Sequence, residues 1–153
     1  MNKLNKSIEV INLDEIHGRG VTGKGIKVAV IDNALAKPNN KLDIKSNYSI
    51  DDRILYSDHA TSCASIIKSS EFGIAPDCEL YSLSTNDNID NIWQGEYYAA
   101  AQICGILALL KQQNPNLKTA QDVRAILPKI CEPIYGGKNN KTGYGLLKAK
   151  ILN

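Results

Sequence analysis

The most constraining stretch of this chain is Ile26-Lys27-Val28-Ala29-Val30-Ile31-Asp32, which follows the turn Val21-Thr22-Gly23-Lys24-Gly25. It is short, β-branched and apolar apart from one lysine, as a strand buried on both faces of a parallel sheet should be. It also ends in an aspartate, and the carboxyl ends of parallel strands are where α/β folds gather ligands and catalytic groups. A second run, Cys78-Glu79-Leu80-Tyr81-Ser82-Leu83, reads as another strand, and a third short strand is expected over about 44–50.

Helices fall between and after these strands. Ser57 or Asp58 suits the cap of a helix over about 59–69, with His59 in its first turn. Residues 95–112 predict a long helix, apolar on nearly all sides and hence central. Asn114-Pro115 ends it, and Thr119-Ala120-Gln121-Asp122 reads as a capping box for a last helix that Pro128 stops at about Leu127. Residues 1–17 read as a helical or irregular lead-in, 33–58 and 86–91 as polar loops, and Gly136-Gly137 and Gly143-Tyr144-Gly145 as turns. The expectation is one α/β domain over 1–153, a small parallel sheet of about three strands with helices packed on it.

Composition narrows the function classes. The chain has 153 residues, 43% of them hydrophobic and 22% charged, which suits a globular fold and not a disordered one. The longest apolar run, Tyr97–Leu110, is 14 residues and contains Gln102, too short to span a bilayer. No apolar segment after Met1 resembles a secretory signal, so a cytoplasmic location is expected. Residues 1–110 carry 10 basic and 14 acidic side chains and residues 111–153 carry 8 and 2. The basic tail has no aromatic interleaving, so a solvated lysine-rich surface is expected and not a nucleic-acid site.

Four cysteines, Cys63, Cys78, Cys104 and Cys131, lie 15, 26 and 27 residues apart, without the paired spacing of a zinc site. They read as reduced thiols, three of them packed as small hydrophobes. No metal or other cofactor is expected. Asp43, Asp51 and Asp52 read as solvated loop acids, and His17 as a surface residue.

The order of motifs resembles the subtilisin-like (S8) serine proteases, in reduced form. Thr22 to Asp32 is similar to that family's strand ending in the catalytic aspartate. His59-Ala60-Thr61-Ser62-Cys63-Ala64-Ser65 resembles its His-Gly-Thr-His-Val-Ala-Gly helix, and Gly73-Ile74-Ala75-Pro76 the Gly-Val-Ala-Pro turn that follows. Residues 95–110 are similar in spacing and apolar pattern to its Gly-Thr-Ser-Met-Ala helix, and Gly143-Tyr144-Gly145 to its closing segment. The resemblance implies a reduced subtilisin-like fold in which Asp32 orients an imidazole and His59 is the general base. Tyr97 stands where the nucleophilic serine belongs. Only residues 84–94 separate the second strand from the long helix, where the family carries its substrate-binding strand, S1 walls and oxyanion-hole asparagine.

A phenol oxygen on a rigid ring cannot occupy the point a serine hydroxyl would. In subtilisin, loss of the serine costs on the order of 10⁶ in kcat, and what survives comes from the oxyanion hole and binding. The resemblance therefore implies no useful peptidase activity, with Asp32, His59 and Tyr97 as vestigial triad positions. Ser62, one turn after His59, is a weak rescue nucleophile because it shares the histidine's helix.

Loss of the intervening strands also leaves Ile26–Ile31 as a sheet edge guarded by Lys27 alone, a pairing site. The expectation is a non-catalytic binding protein that takes a peptide or protein partner, or a second copy, at Ile26, Val28 and Val30. The alternative is a peptidase with a non-standard nucleophile, or with an active site completed by another chain.

Overall fold

In the computed structural model, residues 11–35, 42–50, 56–85 and 96–147 are described. They fall into two compact units, Thr22–Gln112 and a second built from the chain on either side of it. The expected loop 86–91, the first ten residues of the lead-in, Asp51 and Asp52 lie outside the described residues.

The larger unit is organised by a three-stranded parallel sheet. Its strands are β1 (Lys27–Asp32), β3 (Ile44–Ser49) and β5 (Glu79–Ser84), in the order β1-β5-β3. The α/β class and the three parallel strands are as expected. β2 (Ala34–Leu35) and β4 (Tyr56–Ser57) form a separate two-residue parallel pair that the sequence does not signal. β4 leads directly into α2 (Asp58–Lys68).

The register, with Val28 beside Leu80 and Asp32 beside Ser84, sends Val28, Leu80, Ser82 and Ser84 inward, all buried. The opposite face is open. Ile31, Tyr48 and Ile50 are 65%, 63% and 62% exposed, beside half-exposed Tyr81 and Leu83. A parallel sheet is ordinarily covered on both faces, and the described residues cover this one on one.

Backbone direction decides what the edge offers. Glu79 N–H donates to Ile26 O at 2.8 Å and Thr85 N–H to Asp32 O at 3.0 Å. In a parallel ladder the residues that bond a neighbour alternate, so Ile26, Val28, Val30 and Asp32 turn toward β5. The sequence reading placed the partner-binding edge at Ile26, Val28 and Val30. The ladder corrects this, since Val28 is buried and the outward backbone groups belong to Lys27, Ala29 and Ile31.

Two contacts hold the strand-entry turns. Gln112, at the end of α3 (Glu96–Gln113), accepts from the backbone N–H of Thr22 at 2.9 Å and of Gly23 at 2.6 Å. Gly23 has φ +84°, and a Cβ there would come within 2.7 Å of Ala75 Cβ, so only glycine suits the turn. In the last turn of α2, buried Lys68 donates from Nζ to Cys78 O at 2.5 Å and to Pro76 O at 3.2 Å. That fixes the 76–78 turn at the start of β5.

α3 buries Ala101, Ile106, Ala108, Leu109 and Leu110 but exposes Tyr98 and Ile103. Gly105 lies against Ile74, where an added Cβ would stand 2.7 Å from the isoleucine Cβ.

The second unit holds α1 (Leu13–Gly18), α4 (Ala120–Ile130) and the antiparallel pair β6 (Cys131–Glu132) and β7 (Leu146–Leu147). The capping box at Thr119 and Asp122 is formed, and its N–H donors hold the Asp122 carboxyl below its ordinary value. α4 does not stop at Leu127. It runs through Pro128 to Ile130, and Cys131 N–H closes the end on Leu127 O. A proline two residues from the helix end forfeits one hydrogen bond near the terminus without breaking several turns.

Gly105→Ala tests the packing of α3. Helix propensity alone favours alanine by about 1 kcal/mol. Overpacking against Ile74 outweighs it, and the expected result is a net loss of about 1–2 kcal/mol in the urea-unfolding free energy.

Candidate functional site

Asp32 is the last residue of β1, and one turn of helix brings two further side chains to it. Ser57 caps α2, its hydroxyl accepting from the His59 N–H at 3.1 Å and the Ala60 N–H at 3.4 Å. That cap starts the helix so that His59 falls in its first turn, facing the carboxyl end of β1. His59 Nδ1 lies 3.0 Å from Asp32 Oδ2, while Asp32 Oδ1 accepts from the Asn33 N–H at 2.6 Å. The side chains are 30% and 13% exposed respectively, a partly sheltered pair.

The carboxylate is an acceptor, so a neutral His59 carries its proton on Nδ1 and turns the Nε2 lone pair away from Asp32. Cys63 Sγ stands 3.8 Å from Nε2. Residues four apart on a helix share a face, and that spacing seats the thiol beside the ring. Asp32, His59 and Cys63 thus offer a carboxylate, an imidazole and a thiol whose ligand atoms lie within 4.8 Å of one another.

The thiol is muted. Burial, reinforced by the negative charge of Asp32, pushes Cys63 up to about 11. Cys78 is likewise pushed to about 11, first by burial, and burial also raises Cys104 and Cys131. All four are free thiols.

The ring that approaches His59 from α3 is Tyr98, its centroid 6.2 Å away and tilted by 38°. Tyr97 lies in the first turn of α3, and its side chain is outside the described residues. Ser62 lies half-exposed in α2, beside Cys63 in sequence. His17 is half-exposed in α1, and Asp43 is exposed, 3.6 Å from Lys45 Nζ.

The sequence reading brings Asp32 and His59 to one place and overlooks Cys63, which it treats as a packed hydrophobe. The signal was available, because His59 and Cys63 are separated by one helical turn. Among the described residues, three buried polar atoms, Asn33 Oδ1, Ser82 Oγ and Thr85 Oγ1, have no hydrogen-bond partner. Two of these residues, Asn33 and Thr85, directly follow β1 and β5, at the same carboxyl end as Asp32.

No family model and no curated protein matches the chain. Among solved structures, the chain is similar to the MycP3 protease from the type VII (ESX-3) secretion system, at 20% identity and TM-score 0.43 over 69% of this chain and 33% of that one. MycP1 with its N-terminal propeptide removed aligns at 21% identity and TM-score 0.45, over 72% of this chain and 34% of that one. MycP1 from Mycobacterium smegmatis aligns at 20% and 0.41, over 74% and 33%. This chain spans about a third of the length of each. Among the described residues, no helix is long and apolar enough to cross a membrane.

The raised thiols predict an alkaline liability. Cys63 and Cys78 titrate near 9 when unfolded and near 11 when folded, so between those values the native state binds more protons. Stability is therefore unaffected below pH 9 and falls as pH rises toward 11. Urea midpoints measured across that range should drop, and less steeply in Cys63→Ala relative to its own neutral-pH value. At pH 8 roughly one Cys63 in a thousand is thiolate, so iodoacetamide should modify it at least tenfold more slowly than a free cysteine.

Proposed function

We propose that this chain is a non-catalytic relative of the subtilisin-like proteases that binds an extended, apolar peptide segment of a protein partner by strand addition at β1. The observation that carries the reading is the edge of β1, which pairs with no other strand among the described residues and where the backbone groups of Lys27, Ala29 and Ile31 point away from β5. Backbone pairing supplies affinity in strand addition, and side-chain surfaces flanking the edge supply selectivity. Here the flanking surface is the open sheet face with exposed Ile31 and half-exposed Leu83.

The inactivity half of the proposal rests on the surroundings of the imidazole. An Asp–His couple needs a mobile nucleophile beside Nε2 that a substrate carbonyl can reach. Among the described residues, Cys63 stands beside it, a thiol buried to 7% exposure and raised to about 11, on the histidine's own helix. The second reading, a peptidase with a non-standard nucleophile, would have to use this cysteine, the phenol of Tyr97 or a group from another chain.

Ala29→Pro tests the binding half. Its N–H faces outward, so proline removes an edge donor while leaving the bonds to β5 intact. The native chain should select apolar extended peptides from a displayed library, and Ala29→Pro should weaken the selected peptides at least tenfold with an unchanged circular dichroism spectrum. Unaltered affinity would refute strand addition. Light scattering of both forms identifies the case in which the added strand is a second copy, since a dimer would revert to monomer in the variant. For the inactivity half, a fluorophosphonate probe, a thiol-directed acyl probe and a generic peptide substrate should all give no labelling or turnover. Labelling of the native chain at Cys63 or any serine would overturn it.

A further inference from the structure

Strand addition at β1, on which this inference rests, does not by itself fix the sequence of the added strand; the side chains along the edge do. We propose that the added strand is a foreign peptide segment with the pattern acidic–x–bulky–x–branched apolar, its acidic residue set against Lys27 and its apolar end against Ile31.

Side chains alternate along a strand. Val28 is buried, so Lys27, Ala29 and Ile31 lie on the open face, each exposed. Their neighbours on β5 are Glu79, Tyr81 and Leu83, all half-exposed. An added strand would set every second side chain beside these three, at the separation where cross-strand pairs interact. Lys27 presents an ammonium that makes no ion pair among the described residues. Glu79 stands next to it, but the Tyr81 hydroxyl donates to Glu79 Oε2 at 3.0 Å, which draws that carboxylate along β5. The open side of Lys27 thus favours a carboxylate from the added strand. Ala29 is small and pairs with Tyr81, which leaves room for a bulky side chain to lie across both. Ile31, 65% exposed beside Leu83, favours a branched apolar one.

The same side chains argue against a second copy of this chain as the added strand. Two β1 edges paired antiparallel about Ala29 would bring each Lys27 opposite an Ile31, so both ammonium groups would face apolar side chains and neither would gain a carboxylate. A lysine on an edge strand is a guard against such self-pairing. A foreign strand with an acid at one end meets that lysine as a partner and keeps the apolar contact at the other. A parallel strand would carry the acid at its N-terminal end and an antiparallel one at its C-terminal end.

The probes are peptides blocked at both ends: Ser-Asp-Thr-Phe-Thr-Val-Ser, its reverse Ser-Val-Thr-Phe-Thr-Asp-Ser, and the analogue of each with lysine in place of aspartate. Affinities are read on the full chain from the backbone amide shifts of β1. In at least one of the two orders the aspartate peptide should bind about 2–5-fold tighter than its lysine analogue, and that order gives the strand direction. Lys27→Glu should invert the preference and Lys27→Gln should remove it, with the other amide shifts unchanged. Light scattering should show a monomer before peptide is added. Binding without a charge preference, or with one that survives Lys27→Gln, would overturn this inference and leave strand addition standing. Failure of all the peptides to shift β1 would overturn it too, and the library selection then decides strand addition separately. A native dimer that Ala29→Pro dissociates would overturn the assignment to a foreign strand.

Discussion

Parallel pairing of β1 with β5 is the constraint on which the rest of the larger unit depends. A single register fixes which side chains of β1 enter the core, which backbone groups reach the free edge, and where Asp32 comes to rest. A slip of one residue would expose Val28 and bury Lys27 and Ile31. The turn before β1 is held by Gln112 and by the close approach of Gly23 to Ala75, and the turn before β5 by Lys68, so both strands enter at a set height. The capped first turn of α2 then meets the strand ends at a distance that one hydrogen bond spans.

Much of this was legible in the residues. The apolar, β-branched run of β1 and the alternation of β5 announced buried parallel strands, and Ser57 and Thr119 announced two helix starts that the structure places within a residue. The edge position of β1 followed from the short connection between β5 and α3. What the residues hid was relational. Strand alternation predicts which side chains point in, but not which backbone groups face a missing neighbour, and so the edge was assigned to Ile26, Val28 and Val30. Pro128 reads as a stop because the cost of a missing N–H is judged for a helix interior, whereas here it falls near the end. The β2–β4 pair is too short to leave a pattern.

Cys63 carries a more general lesson about reading a site. A cysteine in an apolar helix is most often filler, and its burial to 7% agrees with that. Its chemistry emerges only from the helical pitch that aligns it with His59 and from the strand end that aligns His59 with Asp32. That burial withholds the thiol from acyl chemistry, so the group placed nearest the imidazole is the one least able to act through it.

The open face of the sheet bears on what the chain's stability means. Ile31, Tyr48 and Ile50 stand in water in the isolated molecule. Any partner that covers them binds the folded chain and not the unfolded one. Its concentration then enters the folding equilibrium logarithmically, adding about 2.7 kcal/mol at a hundredfold excess over its dissociation constant. The melting temperature of such a protein is a property of the mixture it lives in. A lone purified sample marks the floor of that scale, and the abundance of the chain in a cell would track the abundance of whatever it accompanies.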